Sequence, residues 1–389
     1  MRDAVIVEAV RTPVGKGKPN GSLAHVHPVE LLAHTLRTLV ARSGVDPALI
    51  DDVIGGTVDQ VGEQAMNTTR YAVLSAGFPE TVPATTVDRQ CGSSQQAVHF
   101  AAQGVMSGAY DIAVACGVES MSRVPMWSNV PAGKDPFGPG VAARFPEGLV
   151  PQGISAELIA AKWGISRERM DAFAVSSHQK AGAAWDGGLF DAEVAPLEGV
   201  TRDESVRPGS TTEILAGLKP AYYDPAFGER FPQIDWAVTA GNASPINDGA
   251  SAVLIMSGET AARLGLRPLA RLHSFAVTGS DPLLMLTGVI PATEKVLRSA
   301  GLSLGDIDLF EVNEAFAAVV LAWQQETGAD LSKVNVHGGA IALGHPLGAS
   351  GTRLTTTLVH AMRARGARYG LQTMCEAGGL ANAMVIEAL

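Results

Sequence analysis

The chain has 389 residues, 46% of them hydrophobic and 17% charged, and a formal net charge of −10. That length and apolar content are enough for two or three folded units with a large core. The acidic balance argues against nucleic acid or an anionic membrane as a general partner, and no stretch approaches the roughly 20 apolar residues of a membrane helix.

The opening MRDAVIVEAVRTP carries charges at once and lacks the apolar core of a signal peptide or anchor, so a reducing cytoplasm is the expected setting. Residues 29–42 have helical apolar spacing, with Leu31, Leu32, Leu36, Leu39 and Val40 on one face. Gly44 and a short strand, DDVIGG, follow. Residues 85–90 lead to Cys91, then to a helix through GSSQQAVHFAAQGVMSG and a buried strand, DIAVACG. Residues 121–153 hold six prolines and five glycines, which disfavours regular structure. Two helices come next, the second with Met170, Phe173, Ala174, Ala181 and Trp185 on one face. Residues 121–244 therefore read as an insertion, a lid or ligand-binding excursion.

The last third repeats the order of the first. A helix, TEKVLRSAG, ends at Gly301; a strand, DIDLFEV, follows; KVNV leads to His345, a helix through ASGTRLTTTLVHAMRARG and a strand, YGLQTMC. The helix-ending glycines lie 257 residues apart, and Cys91 and His345 lie 254 apart. Two landmarks at nearly one offset predict a duplicated α/β unit.

The three cysteines, Cys91, Cys116 and Cys375, form neither a disulfide framework nor a CxxC metal site. Cys91 stands where a strand turns into a helix, and the partial positive charge of a helix N-terminus lowers a thiol's pKa and favours the thiolate. His345 opens the matching helix of the second half, inside the glycine-rich GGAIALGHPLGASG. If pseudo-symmetry brings the two helix mouths together, a cysteine and a histidine converge as nucleophile and base. Cys375 and Cys116 end corresponding strands, Cys116 reading as structural. NEAFA ends another strand, so Asn313 and Glu314 could reach the same interface.

Together VDRQCGSSQQAV, EVNEAFA, GGAIALGHPLGASG and CEAGGLANA resemble the thiolases, which make or cleave the carbon–carbon bond of 3-ketoacyl-CoA. The likeness runs from VEAVRTPVGK to ANAMVIEAL. It implies an α/β thiolase fold: two duplicated α/β halves with mixed sheets packed around shared helices, plus an inserted loop domain. The expected parts are residues 1–120 with 245–268, residues 269–389, and a CoA-binding insertion over 121–244. By the same resemblance Cys91 is the acylated nucleophile, His345 its base, and Cys375 the second cysteine, which moves the α-carbon or thiol proton. Asn313 holds a water that helps His345 bind the thioester oxygen, and the backbone N–H groups of Cys91 and Ala377 form the other oxyanion hole. Arg207 and Tyr222 match the contacts to the nucleotide end of CoA, Ala243 and Ser244 the pantetheine loop, and Phe316 and Gln152 further substrate contacts. The implied partners are acyl-CoA and CoA, with CoA as substrate, no tightly bound cofactor and no metal, in a homodimer or homotetramer.

Three departures matter. Ala377 replaces the first glycine of the family's Cys-x-Gly-Gly-Gly, where left-handed geometry would strain it. Gln90 stands where many members have leucine. LVPQGISAE lacks the His-Met pair common in short-chain members, and Gln152 takes roughly the methionine's place. The lean is toward a degradative thiolase for longer or bulkier acyl chains. An acetoacetyl-CoA-forming acetyltransferase, a decarboxylating ketoacyl synthase and a non-catalytic acyl-CoA or lipid binder are the alternatives.

Overall fold

The computed structural model describes residues 2–389. The first part contains β1 (Ala4–Arg11), β2 (Gly15–Lys16), α1 (Pro28–Ser43), β3 (Asp52–Gly56), α2 (Thr68–Ser75), β4 (Ala84–Val87), α3 (Ser93–Ser107) and β5 (Ile112–Ser120). Then come α4 (Gly138–Arg144), α5 (Gln152–Lys162), α6 (Arg167–Asp186), α7 (Thr212–Ala216) and α8 (Pro225–Arg230) before the next sheet strand, β6 (Asn247–Ser257). The last part holds α9 (Gly258–Arg263), β7 (Ala270–Gly279), α10 (Val289–Ala300), β8 (Leu309–Val312), α11 (Ala317–Thr327), α12 (Ala340–Leu343), α13 (Ser350–Arg365), β9 (Tyr369–Glu376) and β10 (Leu380–Ala388).

The strands pair in the order β4-β3-β5-β6-β1-β7-β10-β9-β8, with β2 beside β6. β3 is parallel to β4 and β5, β8 is parallel to β9, and the strands between run antiparallel. The arrangement is symmetric about the β1–β7 seam, which consists of only two residue pairs, Val5 with Arg271 and Ile6 with Ala270. β3, β5, β6 and β1 thus correspond to β8, β9, β10 and β7. The two halves' sheets join there into one.

Alternation along the strands sorts the core. On β5, Val114, Cys116 and Val118 face the layer where Leu31, Leu32, Leu36 and Leu39 of α1 are buried. Ala113 and Ala115 face the opposite layer, among Ala97, Ala101, Leu358 and Met362 of α3 and α13. Cys116 therefore packs as a small core hydrophobe. α13 lies against strands of both halves and against α3. The approach is close: a Cβ on Gly351 would sit 2.0 Å from the Gln95 backbone nitrogen, so only glycine fits.

KVNV, which leads to His345, makes a single bridge, Val334 to Phe310. Asn335 leaves the extended region at φ 45°, and its side chain takes over the pairing, accepting from the Val312 N–H at 2.9 Å and donating to the Val312 carbonyl at 2.9 Å. Within the Pro/Gly-rich 121–153 segment α4 forms a short helix, aided by a proline in its first turn.

Candidate active site

The turn before α3 is built to present Cys91. Gln90 adopts left-handed backbone (φ 49°) with its N–H on Asp88 Oδ1 at 2.7 Å. Ser93 Oγ closes the loop, accepting from the Arg89 N–H and donating to the Gln90 carbonyl at 2.6 Å. Cys91 is 5% exposed and lines a cavity of about 420 Å³ with Gln90, Gln152, Leu347 and Ala377. Burial pushes its thiol up to about 12, and the nearby carboxyl of Glu376 adds to the rise; the Gln152 side chain, facing the sulfur, pulls the other way. The expectation of a lowered thiol is thus reversed. Removal from water outweighs the helix terminus here, so at neutral pH the group is SH.

His345 is 3% exposed. Its N–H donates to Asn247 Oδ1 at 3.0 Å, which pins the loop. Nδ1 lies 2.6 Å from Ser350 Oγ, and that hydroxyl donates to the Pro346 carbonyl at 2.7 Å. The serine's one proton is used there, so the Nδ1–H must be the donor to Oγ, and the lone pair is on Nε2. Asn313 Nδ2 donates to Nε2 at 3.4 Å, and Asn313 Oδ1 is buried with no hydrogen-bond partner among the described residues. Burial lowers His345 to about 3, the positive charge of Arg353 adding to the effect, so the imidazole is neutral.

Cys375 is fully buried near the end of β9, and burial and a charge on Cys91 both raise its thiol. Cys91, Leu347 and Met374 share one small packed cluster, so the neighbours of His345 and Cys375 meet at the nucleophile. Among the described residues no hydrogen bond joins Cys91 to His345. Ala377 follows in the β9–β10 hairpin with negative φ; the left-handed positions are Gly378 and Gly379, at 81° and 79°. The anticipated strain at Ala377 is absent because the turn puts its positive dihedrals one residue later.

The expected CoA contacts gather on the other side of Gln152. A Cβ on Gly153 would lie 2.2 Å from the Tyr222 ring, and that ring meets Phe316 edge-on at 5.9 Å. Ala243 bridges to Phe316, and the Ser244 N–H donates to the Ala315 carbonyl at 3.0 Å. Arg207 stands apart. Its side chain is exposed, and its backbone N–H reaches His178 Nδ1 at 3.2 Å.

Glu314 does not join the site. It is 1% exposed and accepts from Ser177, Asn335 and the Ile341 N–H, anchoring the loop before His345. Sequence reasoning missed Ser350, whose signal is a serine five residues after His345 at the start of a helix. It also missed Glu119 at the end of β5. That buried carboxyl gathers the N–H groups of Val58, Asp59 and Gly348 and the Gln64 amide, tying the His345 loop to the first half. Burial raises Glu119 to about 7 despite these donors.

A mirrored α/β scaffold with a buried cysteine on a cavity, and a second buried cysteine and a neutral buried histidine on the segments packed beside it, defines an acyl-transfer class of enzyme. The family models for the thiolase N-terminal domain and the thiolase C-terminal domain match residues 4–259 and 266–388. The chain is 47% identical over 400 residues to the steroid 3-ketoacyl-CoA thiolase FadA6 of Mycobacterium tuberculosis, covering all of this chain and 95% of that protein. It is 46% identical over 400 residues to a 3-ketoacyl-CoA thiolase of Aliivibrio fischeri, covering both in full. Among solved structures it superposes on a Bacillus anthracis acetyl-CoA acetyltransferase with TM-score 0.88 and 40% identity, covering all of this chain and 99% of that one. It superposes on human mitochondrial 3-ketoacyl-CoA thiolase in complex with CoA with TM-score 0.89 and 37% identity, covering 100% and 98%. The chain belongs to the thiolase family and is an acyltransferase.

Proposed function

We propose that this enzyme cleaves 3-ketoacyl-CoA with CoA, giving acetyl-CoA and an acyl-CoA two carbons shorter, through an acyl group carried on Cys91. The observation that carries the reading is the Asn313–His345–Ser350 chain, which keeps the His345 proton on Nδ1 and the basic lone pair on Nε2, in the loop whose Leu347 packs with Cys91. Nε2 takes the thiol proton as Cys91 attacks the 3-keto carbon, and the N–H groups of Cys91 and Ala377 hold the resulting oxyanion. The C–C bond breaks toward an enolate of acetyl-CoA, stabilised by His345 and a water on Asn313, and Cys375 supplies the proton to its α-carbon. CoA then enters; Cys375 takes its thiol proton, the sulfur attacks the thioester, and Cys91 leaves as the thiol with the proton returned by His345. Tyr222, Ala243, Ser244, Phe316 and Arg207 bind the CoA side, residues 121–244 serving as the CoA-binding insertion. The family resemblance further supports a cytoplasmic homodimer or homotetramer.

The cavity favours a degradative substrate range over acetoacetyl-CoA alone. Its 420 Å³ equals roughly fourteen water-sized volumes of about 30 Å³, and a four-carbon acyl unit would leave most of it unfilled. The similarity to the Bacillus anthracis acetyltransferase favours the short-chain reading as the second choice. Thiolysis rates across 3-ketoacyl-CoA substrates from four carbons upward decide between them. Rates that rise beyond four carbons are expected; activity confined to acetoacetyl-CoA would overturn the degradative assignment.

A further inference from the structure

Most of the cavity wall beside Cys91 is apolar, formed by Val58, Met126, Trp127, Phe137, Leu149 and Met285. Asp59 interrupts it. This residue is 1% exposed, and its Oδ1 has no hydrogen-bond partner among the described residues. Its backbone is firmly held: the N–H donates to Glu119 at 3.2 Å and the carbonyl accepts from Gln64 Nε2 at 3.0 Å. Burial raises the pKa of its carboxyl, and the Asn129 and Trp127 N–H groups, facing it from the outer wall, pull the other way. Leaving a buried acceptor unpaired is costly, and a few polar groups set in a mostly apolar pocket are the usual means of fixing a ligand's orientation. The steps assigned to Cys91, Cys375, Asn313 and His345 make no use of it.

The residues expected at CoA, Tyr222, Ala243 and Phe316, do not line this cavity, so its occupant is the acyl group. Building on the thiolase reading above, we propose that the acyl chain this enzyme takes carries a hydroxyl group whose proton is donated to Asp59 Oδ1. A plain chain of equal length satisfies the apolar wall but leaves the carboxylate desolvated and unpaired.

The test compares kcat/KM for 3-ketooctanoyl-CoA with the four isomers bearing one hydroxyl at carbon 5, 6, 7 or 8. The wild type should favour at least one isomer over the plain chain by roughly tenfold to a hundredfold, the range for a hydrogen bond to a buried charge. Asp59→Leu and Asp59→Asn should each lower that ratio toward one, the Asn variant guarding against a folding defect. Turnover of the plain chain with no isomer preferred would overturn the hydroxyl assignment while leaving the thiolase reading intact. A preference that survives both substitutions would overturn it too. Failure to turn over any of the five substrates would refute the degradative, longer-chain reading and the proposal with it.

Discussion

Alkylation of Cys91 by iodoacetamide tests whether the nucleophile works from a neutral thiol. Burial places its pKa near 12. At pH 7.5 the thiolate fraction is then about three thousandfold smaller than for a free cysteine of pKa about 8.5. An unassisted thiolate route would be correspondingly slow and would accelerate tenfold with each pH unit. A route in which the neutral His345 takes the proton depends on neither titration, because the histidine is lowered to about 3. Peptide-resolved mass spectrometry distinguishes Cys91 from the fully buried Cys116 and Cys375. We expect a rate for Cys91 that is nearly flat from about pH 5 to 9 and falls at least tenfold in His345→Gln, which should also become steeply pH-dependent. A rate that climbs and levels off near pH 7 would show an ordinary low-pKa thiolate and refute the argument from burial. A steep profile unaffected by His345→Gln would refute the assignment of the base.

Ser350→Ala removes the group that holds the proton on His345 Nδ1, and kcat should fall roughly tenfold to a hundredfold with KM little changed, as when a metal-bound imidazole loses its orienting partner; equal rates in steady-state assays would reject that positioning role. Arg11 is fully buried between Glu193 and Asp203, so Arg11→Met leaves two carboxylates uncompensated and should cost about 3–5 kcal/mol in urea unfolding; a wild-type midpoint would show that the ion pairs do not tie β1 to the 121–244 segment. His99 is buried against Phe275 and lowered to about 3. The unfolded chain binds a proton there that the folded chain refuses, so the associated stability is complete above pH 6.5 and drains away as pH falls toward 3. His99→Leu should therefore gain about 2 kcal/mol relative to wild type on going from pH 8 to pH 5; parallel stability curves would contradict the burial-driven shift.

The scaffold was legible where a residue's role depends on its own neighbours in sequence. The α1 leucines, the buried strand β5 and the helix-mouth positions of Cys91 and His345 all follow from local periodicity and from the repeated order of elements. What depends on distant packing was not legible. The direction of the Cys91 shift was misread because the helix terminus is local, whereas the desolvation comes from walls supplied by other segments and the carboxyl of Glu376. Glu314 looked like a neighbour of Asn313 at the site, yet the adjacent side chains diverge, one to His345 and the other to the loop preceding it. The left-handed positions of the β9–β10 hairpin fall on Gly378 and Gly379, a one-residue offset that hairpin register decides and composition cannot.

The geometry also separates two demands that a single constellation could not meet together. The groups assigned to bond making and breaking sit at the ends of duplicated elements, on rigid strands and helices whose mutual approach leaves no room for a Cβ at Gly351. Half of the cavity wall, Gln152 included, comes from the segment between β5 and β6, where turns prevail until α5 begins. Side chains at Met126, Trp127 and Phe137 can therefore change the shape available to an acyl group without moving Cys91 or His345. A loop can vary its length and side chains at small free-energy cost, whereas a packed helix crossing cannot. On this reading the 121–153 segment tunes which acyl chain is cleaved, and the symmetric scaffold keeps the cleavage itself constant.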